Sequence, residues 1–263
     1  MEHKVNFRGK SMEENRVMTS PLKDILSATH SPLSSFIQNI TKHPFSNLEQ
    51  HICVYSCRYN VENFTADFYQ YLAQDEPASI QRAVKKRRAE FFAGRLMAIL
   101  GLETLGQNRC VIDIGEHRSP LWPDGFLGSI THSCDQAMAV VAPKGQWRYL
   151  GMDHEENIPL EVANNIADQL LTCADRALYQ QLDIDFATFC SAVFSIKESL
   201  FKAVYPYIGQ YIEFSDAKML ELDFSKGSFK VELCWREAPN DLQTVFAGYL
   251  LKNPSKVTTL IFA

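Results

Sequence analysis

The sequence predicts an α/β protein built as two similar halves that meet near residue 147. Stretches rich in β-forming residues are interspersed with stretches of helical periodicity, and each half runs from a strand through helices to further strands. Hydrophobic residues form 46% of the 263 residues, which is enough for one large core or two small ones. This content also disfavours a chain that is disordered throughout.

Hydrophobic periodicity and turn residues predict the order of the elements. The polar, aperiodic residues 1–20 predict a loose terminus, and Pro206 predicts the end of the longest helix of the second half. The predicted helices are 33–40, 62–73, 79–105, 160–171, 175–181 and 186–204. The predicted strands are 52–59, 137–142, 149–153, 212–214, 219–224, 228–235, 244–251 and 257–262, and an ordered loop is predicted for 115–128.

Composition excludes several classes of protein. Aspartate and glutamate outnumber lysine and arginine by 31 to 26, whereas a general nucleic-acid binder normally shows a broad basic surface. No apolar run approaches the length of a membrane span, and the first residues lack the apolar segment of a secretory signal. The seven scattered cysteines include no Cys-x-x-Cys pair, which favours reduced thiols. We therefore expect a cytoplasmic protein with no nucleic-acid partner and no membrane span.

Two charged stretches suit a divalent cation and a phosphate ester. Asp153 and Glu155 are two residues apart, so both carboxylates face the same way if this segment is a strand. Glu198 and Lys202 are four residues apart, so they share one face of the predicted helix. Mg²⁺ prefers oxygen ligands and usually shares them with substrate phosphates. Ordinary surface charge is the alternative for each carboxylate taken alone.

The predicted helix 79–105 is strongly basic in its first half, and Glu90 is the acidic residue within that run. A solvated charged face is the more common explanation of such a run, and a local anion site is the other. His132 has two interpretations as well, a hydrogen-bonded structural role or a phosphate contact beside Ser129 and Thr131. The cations of the helix are Arg82, Lys85, Lys86, Arg87, Arg88 and Arg95.

Together these stretches resemble the signatures of the 4′-phosphopantetheinyl transferase superfamily. Residues 151–155, Gly-x-Asp-x-Glu, are similar to the first signature, and residues 194–202, Phe-Ser-x-Lys-Glu-x-x-x-Lys, to the second. Residues 87–95 and 122–132 resemble the siderophore-type branch of that family, which is typified by an enterobactin synthase component. The likeness begins near residue 50, and the preceding residues carry none of its motifs.

The resemblance implies a fold and an activity. The implied fold is a monomer of two pseudo-twofold-related halves, each a small antiparallel-rich sheet packed on helices, with coenzyme A and Mg²⁺ in the cleft between the halves. It divides the chain into a partly flexible N-terminal extension (1–46), a half that binds coenzyme A (47–147) and a half that carries the metal and the catalytic residues (148–263). The implied activity is transfer of the 4′-phosphopantetheine arm of coenzyme A to a serine of an apo acyl, aryl or peptidyl carrier protein, for siderophore synthesis.

The resemblance also implies a role for each matching residue. The implied metal ligands are Asp153, Glu155 and Glu198, and the implied catalytic residues are Glu198, Lys202 and His132. The implied coenzyme A contacts are Arg87 and Arg95 on the 3′-phosphate side with Ser129 and Thr131 nearby, and His132 and Lys202 on the diphosphate. Arg118 is expected to supply the charge of a lysine that some relatives carry before Trp-Pro. Lys197 is expected to face the substrate, coenzyme A, or the acidic carrier protein.

Two other classes of function stay open from the sequence. A metal-dependent phosphodiesterase or nuclease also uses separated carboxylates and a lysine, but the chain lacks a Glu-x-Lys step, since Ser199 and Leu200 follow Glu198. Its acidic balance also disfavours a polyanionic polymer as substrate. A non-catalytic module that binds carrier proteins is the third class, and the complete set of carboxylates disfavours it.

Overall fold

The structure is a computed structural model that describes residues 22, 26, 32–44, 51–72, 74–107 and 110–263. The predicted loose terminus, residues 1–20, lies outside these residues. The chain divides into two compact units, Met1–Gln146 and Trp147–Ala263. Each unit contains an antiparallel sheet packed on helices around its own hydrophobic core, which confirms the predicted fold class.

The first unit is a sheet of four antiparallel strands covered by a long helix. Its elements are α1 (Pro32–Phe36), β1 (Ile37–His43), β2 (Cys53–Tyr59), the 3₁₀ segments Val61–Asn63 and Ala66–Leu72, α2 (Ala78–Gln81), α3 (Lys85–Thr104), β3 (Asp113–Ile114), β4 (Pro120–Leu121), β5 (Phe126–Ser133) and β6 (Gln136–Pro143). The strand order in the sheet is β1-β2-β6-β5, and β3 and β4 form a separate pair. The helix α3 packs across β2, β5 and β6, so its inward face is apolar while its first turn carries the basic run.

Residues before position 46 contribute to the core of the first unit. Leu33 and Phe36 are fully buried. The ring centroid of Phe36 lies 5.4–5.8 Å from those of Phe64, Phe68 and Phe92. α1 and β1 are therefore part of this unit, although they precede the part of the chain that the family resemblance covers.

Several predicted elements of the first unit differ from the structure. Residues 33–40 are divided between α1 and β1, and residues 62–73 contain two 3₁₀ segments instead of one helix. The predicted helix 79–105 is interrupted before α3, because Val84 is extended and has no side chain that could cap the following helix. β5 lies in a stretch without a strand signal, since small polar residues such as Thr131 occupy its buried positions.

The second unit is a sheet of five antiparallel strands packed on a long central helix. Its elements are β7 (Leu150–Glu156), α4 (Leu160–Leu170), α5 (Cys173–Tyr179), α6 (Phe186–Ile208), a 3₁₀ turn (Phe214–Asp216), β8 (Ala217–Asp223), β9 (Ser228–Leu233), β10 (Val245–Lys252) and β11 (Lys256–Phe262). The strand order is β7-β11-β10-β9-β8. The helix α6 packs on β7 and β11, and α4 packs beside α6. The first signature therefore lies on an edge strand and the second on the helix that covers it.

The ends of α6 are set by residues other than the predicted one. Asp185 caps its start, because the Asp185 side chain accepts a hydrogen bond from the backbone N–H of Thr188. The prediction that Pro206 ends the helix is wrong, since Pro206 lies within the last turn and Gly209, with a φ of +63°, ends it. The predicted strand 212–214 is also wrong, because a 3₁₀ turn begins at Phe214.

All seven cysteines are free thiols, and four of them are buried. In the part of the chain that the structure describes, no helix is both long enough and apolar enough to cross a membrane.

Gly151 allows β7 to approach α6 closely. A Cβ atom at this position would lie 2.0 Å from the backbone oxygen of Ser199 and 2.7 Å from the backbone nitrogen of Ala203. Both of these are backbone atoms, so neither can turn aside as a flexible side chain could. This contact gives a packing reason for the glycine that opens the first signature.

We expect Gly151→Ala to lower the free energy of unfolding of the second unit by about 3 kcal/mol, the upper range for overpacking in a core. Gly209→Ala is the control in the same unit, because Gly209 has a φ of +63° but open space around its added Cβ. That control should cost about 1 kcal/mol, which reflects backbone strain alone. Urea unfolding of both variants measures the difference, and equal losses would show that β7 and α6 are not in close contact.

Candidate functional site

The second unit brings three acidic side chains and a lysine together where β7 packs on α6. Asp153 and Glu155 lie on the same face of β7, and Glu198 and Lys202 lie one turn apart on α6. The Nζ atom of Lys202 donates a hydrogen bond to Oδ1 of Asp153 at 2.6 Å, and Asp153 is 1% exposed. We call Asp153, Glu155 and Glu198 the carboxylate cluster.

The members of the carboxylate cluster interact electrostatically. Burial raises the pKa of Glu155 to about 7, and the charges of Asp153 and Glu198 add to this rise while Lys202 opposes it. Burial also raises the pKa of Glu198, where Lys202 again opposes the shift and Asp153 adds to it. Positive charge is therefore favoured among these oxygens, and Lys202 supplies one such charge.

A buried hydroxyl network fixes α6 against the sheet. Oγ1 of Thr259 on β11 lies 2.9 Å from Oγ of Ser195 and 2.7 Å from Oγ of Ser199, and all three residues are buried. Thr259 is also the residue opposite Asp153 in the pairing of β7 with β11. The network therefore connects the neighbour of Glu198 on the helix to the strand residue opposite Asp153, which holds the two signatures in fixed relation.

The structure corrects the prediction for Lys197, which was expected to face coenzyme A or the carrier protein. Lys197 is 3% exposed, and its Nζ atom donates to Oδ2 of Asp175 at 2.7 Å. Nζ also donates to the backbone oxygens of Leu170 and Phe214 at 2.8 and 2.9 Å. An ammonium group has three N–H donors, so internal acceptors use all of them. Burial lowers the pKa of Lys197 and Asp175 opposes that shift, which identifies a buried ion pair rather than a substrate contact.

In the first unit, α3 and β5 bring Arg87, Glu90 and His132 together. Nη1 of Arg87 lies 2.8 Å from Nε2 of His132. Oε2 of Glu90 lies 3.7 Å from Nη1 of Arg87 and 3.9 Å from Nε2 of His132. The side chains of Arg87 and His132 are each 35% exposed, whereas Glu90 is buried. A guanidinium and an imidazole that reach solvent above a buried carboxylate form a candidate phosphate site.

Arg95, the second residue predicted on the 3′-phosphate side, is almost fully buried in the first unit. Its guanidinium carbon lies 4.6 Å from the centroid of the Phe91 ring, and Nη2 donates to the backbone oxygen of Asp113 at 3.2 Å. Burial lowers the pKa of Arg95 to about 10, so the group is still charged at neutral pH. Its Nε atom is buried with no hydrogen-bond partner among the described residues. The phosphate contact of Arg95 stays a prediction.

The other predicted coenzyme A contacts of this unit lie in two environments. Ser129 and Thr131 are buried on the face of β5 opposite His132, because side chains alternate along a strand. Arg118 is exposed in a 3₁₀ turn where His117 and Arg118 have φ angles of +52° and +65°. Residues other than glycine rarely adopt this conformation, and such strain is concentrated at ligand sites. The roles of Arg118, Ser129 and Thr131 stay predictions.

Some residues that shape the two sites carry little sequence signal. Glu76 holds Arg88 through two hydrogen bonds of 2.7 and 2.6 Å, although the two residues lie in different elements. Asp175 and Thr259 likewise act across long sequence separations, which no local pattern reveals. Glu90 is the exception, because an acidic residue three positions after Arg87 in a basic helix predicts an ion pair.

The donor chemistry of the carboxylate cluster fits a hard divalent cation, because every donor is a carboxylate oxygen. Within the described residues, no group of three or more His, Cys, Asp or Glu side chains is arranged as a metal site. The ammonium group of Lys202 donates a hydrogen bond to Asp153 within the carboxylate cluster. The cluster thus has the oxygen ligands that Mg²⁺ prefers, and one of them, Asp153, is paired with Lys202.

Two family models match the chain, one in each unit. The 4′-phosphopantetheinyl transferase N-terminal domain matches residues 75–142, and the 4′-phosphopantetheinyl transferase superfamily model matches residues 149–251. The second match includes the carboxylate cluster, and the first includes Arg87, Glu90 and His132.

Curated proteins of the same kind are similar to this chain. Enterobactin synthase component D of Escherichia coli is 36% identical over 126 residues, which are 48% of this chain and 59% of that protein. The 4′-phosphopantetheinyl transferase PptT of Mycobacterium tuberculosis is 34% identical over 148 residues, which are 54% of this chain and 62% of that protein. The 4′-phosphopantetheinyl transferase Npt of Nocardia iowensis is 31% identical over 174 residues, which are 62% of this chain and 74% of that protein.

The chain spans between about half and three-fifths of the length of the enterobactin synthase components that it matches, at 51% and 59%. The chain covers 74% of the Nocardia transferase, and one family model matches part of each unit of the chain. The chain belongs to the 4′-phosphopantetheinyl transferase superfamily.

Proposed function

We propose that the protein transfers the 4′-phosphopantetheine arm of coenzyme A to a serine of an apo acyl, aryl or peptidyl carrier protein. The reaction requires Mg²⁺, and the protein acts as a cytoplasmic monomer in the synthesis of an enterobactin-like siderophore. The pairing of Lys202 with Asp153 in the carboxylate cluster is the observation that carries the proposal. The siderophore assignment is supported by the likeness to enterobactin synthase component D.

In the proposed reaction one proton is transferred, and one bond to phosphorus forms while another breaks. The carrier serine forms a bond from its oxygen to the β-phosphorus of coenzyme A, and the bond to the departing 3′,5′-bisphosphate nucleotide breaks. Glu198 accepts the serine proton, because its carboxylate lies one turn from Lys202 on the same face of α6. Lys202 donates to an oxygen of the diphosphate, where negative charge increases in the transition state. In the first unit, Arg87 and His132 bind phosphate oxygens.

Asp153, Glu155 and Glu198 would hold Mg²⁺, because they supply oxygen donors that repel one another without a cation. The bound ion would add positive charge beside the phosphates. The ligand-bound protein then needs Lys202 to turn from Asp153 toward phosphate, and a lysine side chain has the rotational freedom for that change.

Transfer is tested by mixing the protein with coenzyme A, Mg²⁺ and an apo carrier protein and weighing the carrier. The expected result is a gain of about 340 Da, the mass of the transferred arm. Excess chelator should abolish the gain, and Mg²⁺ or Mn²⁺ should restore it. An unchanged carrier together with degraded DNA would support the nuclease alternative. Full transfer in excess chelator would disprove the metal assignment.

Arg87→Ala should raise the Michaelis constant for coenzyme A about tenfold, the effect of losing one charged hydrogen bond. The Michaelis constant for 3′-dephospho-coenzyme A should change little, since a lost contact has no effect where the phosphate is absent. Lys85→Ala is the matched control, because Lys85 starts the same helix but donates to the backbone oxygen of Glu62. Equal effects of Arg87→Ala on both substrates would place this arginine away from the 3′-phosphate.

A further inference from the structure

Glu90 is a buried carboxylate beneath the two phosphate-facing groups of the first unit. It is 9% exposed on α3, and its Oε2 atom lies within 4 Å of both Nη1 of Arg87 and Nε2 of His132. Its Oε1 atom lies 3.9 Å from Nζ of Lys86. Acidic side chains are rarely buried unless they are paired. Glu90 is therefore paired with charged neighbours, and the proposed reaction assigns it no role.

The contact between Arg87 and His132 specifies where the imidazole proton lies. A guanidinium only donates hydrogen bonds, so Nε2 of His132 accepts from Arg87 at 2.8 Å. The ring in this arrangement is neutral, with its proton on Nδ1. A phosphate oxygen without a proton also only accepts, so Nε2 must carry a proton before this nitrogen can bind phosphate. Phosphate binding through Nε2, the nitrogen that contacts Arg87, therefore requires a change in the proton on His132.

The charges that face His132 decide whether the ring gains that proton. Arg87 and Lys86 on α3 disfavour an imidazolium, whereas Glu90 favours one. From β2, Tyr59 also lies near Glu90, because its pKa is raised by burial first and then by the charge of Glu90. Glu90 is thus the negative charge on α3 that can offset the neighbouring cations when His132 becomes charged.

We propose that Glu90 is a positioning residue that stabilises protonated His132 when a phosphate of coenzyme A replaces the imidazole as the hydrogen-bond partner of Arg87. This inference rests on the proposed function, since it concerns how that substrate is held. The proton comes from solvent and is added to Nε2, while Nδ1 keeps its own proton. Glu90 does not contact the substrate, so it acts through Arg87 and His132.

The test compares Glu90→Gln with Glu62→Gln. Glu62 is a matched control because it lies 3.6 Å from Lys85 at the start of the same helix but is exposed. Glu90→Gln should raise the dissociation constant of coenzyme A about tenfold at pH 8 and less at pH 6, where protons are more abundant. The rate at saturating coenzyme A should change little. Glu62→Gln should bind as the wild type does at both pH values.

Nitrogen-15 NMR of the histidine rings gives a readout that a purely structural role would not change. In the wild type at pH 7.5, saturating coenzyme A should shift Nε2 of His132 from the unprotonated to the protonated range. Glu90→Gln should show a smaller shift under the same conditions. If Glu90→Gln does not fold, Glu90→Asp, which keeps the charge, should retain the shift. A wild-type Nε2 that stays unprotonated with coenzyme A bound would overturn the proposal.

The outcomes separate this inference from the proposed function. A wild type that shows the His132 shift but transfers nothing to any carrier would disprove the transferase assignment and leave the role of Glu90 supported. The opposite outcome is a wild type that transfers the arm, with Glu90→Gln and Glu62→Gln indistinguishable in affinity, pH dependence and NMR. That outcome would support the transferase assignment and disprove the role of Glu90.

Discussion

Glu198→Gln is expected to lose most turnover even at saturating coenzyme A, and added Mg²⁺ is expected to recover little of it. Glutamine keeps the size and one acceptor oxygen but removes the charge, so it weakens the metal site and removes the proposed base together. Glu198 lies on α6 within the carboxylate cluster, and burial raises its pKa. The measurement is turnover against Mg²⁺ concentration with carrier protein saturating.

Lys202→Ala should lose about 10²–10³ in rate, the typical effect of removing one charge-stabilising donor. The variant retains all three carboxylates, so its requirement for Mg²⁺ should be kept while its maximum rate falls. Lys230→Ala and Glu221→Gln are matched controls, because these residues form an exposed pair at 2.8 Å in the same unit. Both controls should keep wild-type rates.

Two results would contradict these assignments. Full recovery of Glu198→Gln in excess Mg²⁺ would leave Glu198 as a ligand only, and the base would be another residue or water. A Lys202→Ala variant with the wild-type rate would show that this face of α6 does not meet the phosphates.

The predictable part of the site follows from local periodicity. Two-residue spacing on a strand places Asp153 and Glu155 on one face, and four-residue spacing on a helix does the same for Glu198 and Lys202. Since these spacings depend only on backbone geometry, each pair can be predicted without knowledge of the tertiary structure. The contact between the pairs, from Lys202 to Asp153, depends on packing of β7 against α6.

The parts that could not be predicted depend on tertiary contacts. Lys197 belongs to the same signature as Glu198, but its partner Asp175 lies 22 positions away on a different helix. Thr131 lies in a strand in which three of the buried residues, Ser129, Thr131 and Ser133, are small and polar, so alternation of hydrophobicity does not mark it. Pro206 lies in the last turn of α6, so the loss of its backbone N–H affects only the end of the helix.

Lys197→Met is expected to destabilise the second unit by roughly 3–5 kcal/mol, the cost of breaking a buried ion pair on one side. Methionine is similar in length and apolar, so the main change is loss of the ammonium group. Asp175 is fully buried and also accepts from the backbone N–H groups of Thr172 and Met219. Without Lys197 its charge is left with these neutral donors, and the carbonyls of Leu170 and Phe214 each lose one hydrogen bond.

The matched control for Lys197→Met is Lys230→Met, which removes a lysine from an exposed pair in the same unit and should change the unfolding midpoint far less. Urea unfolding monitored by tryptophan fluorescence is suitable, because Trp147 and Trp235 report on the second unit and Trp122 on the first. Where folded Lys197→Met can be prepared, its Michaelis constant for coenzyme A should equal that of the wild type, since Nζ of Lys197 is used inside the unit. A stable variant with weakened coenzyme A binding would contradict both the stabilising role of Lys197 and its absence from the substrate site.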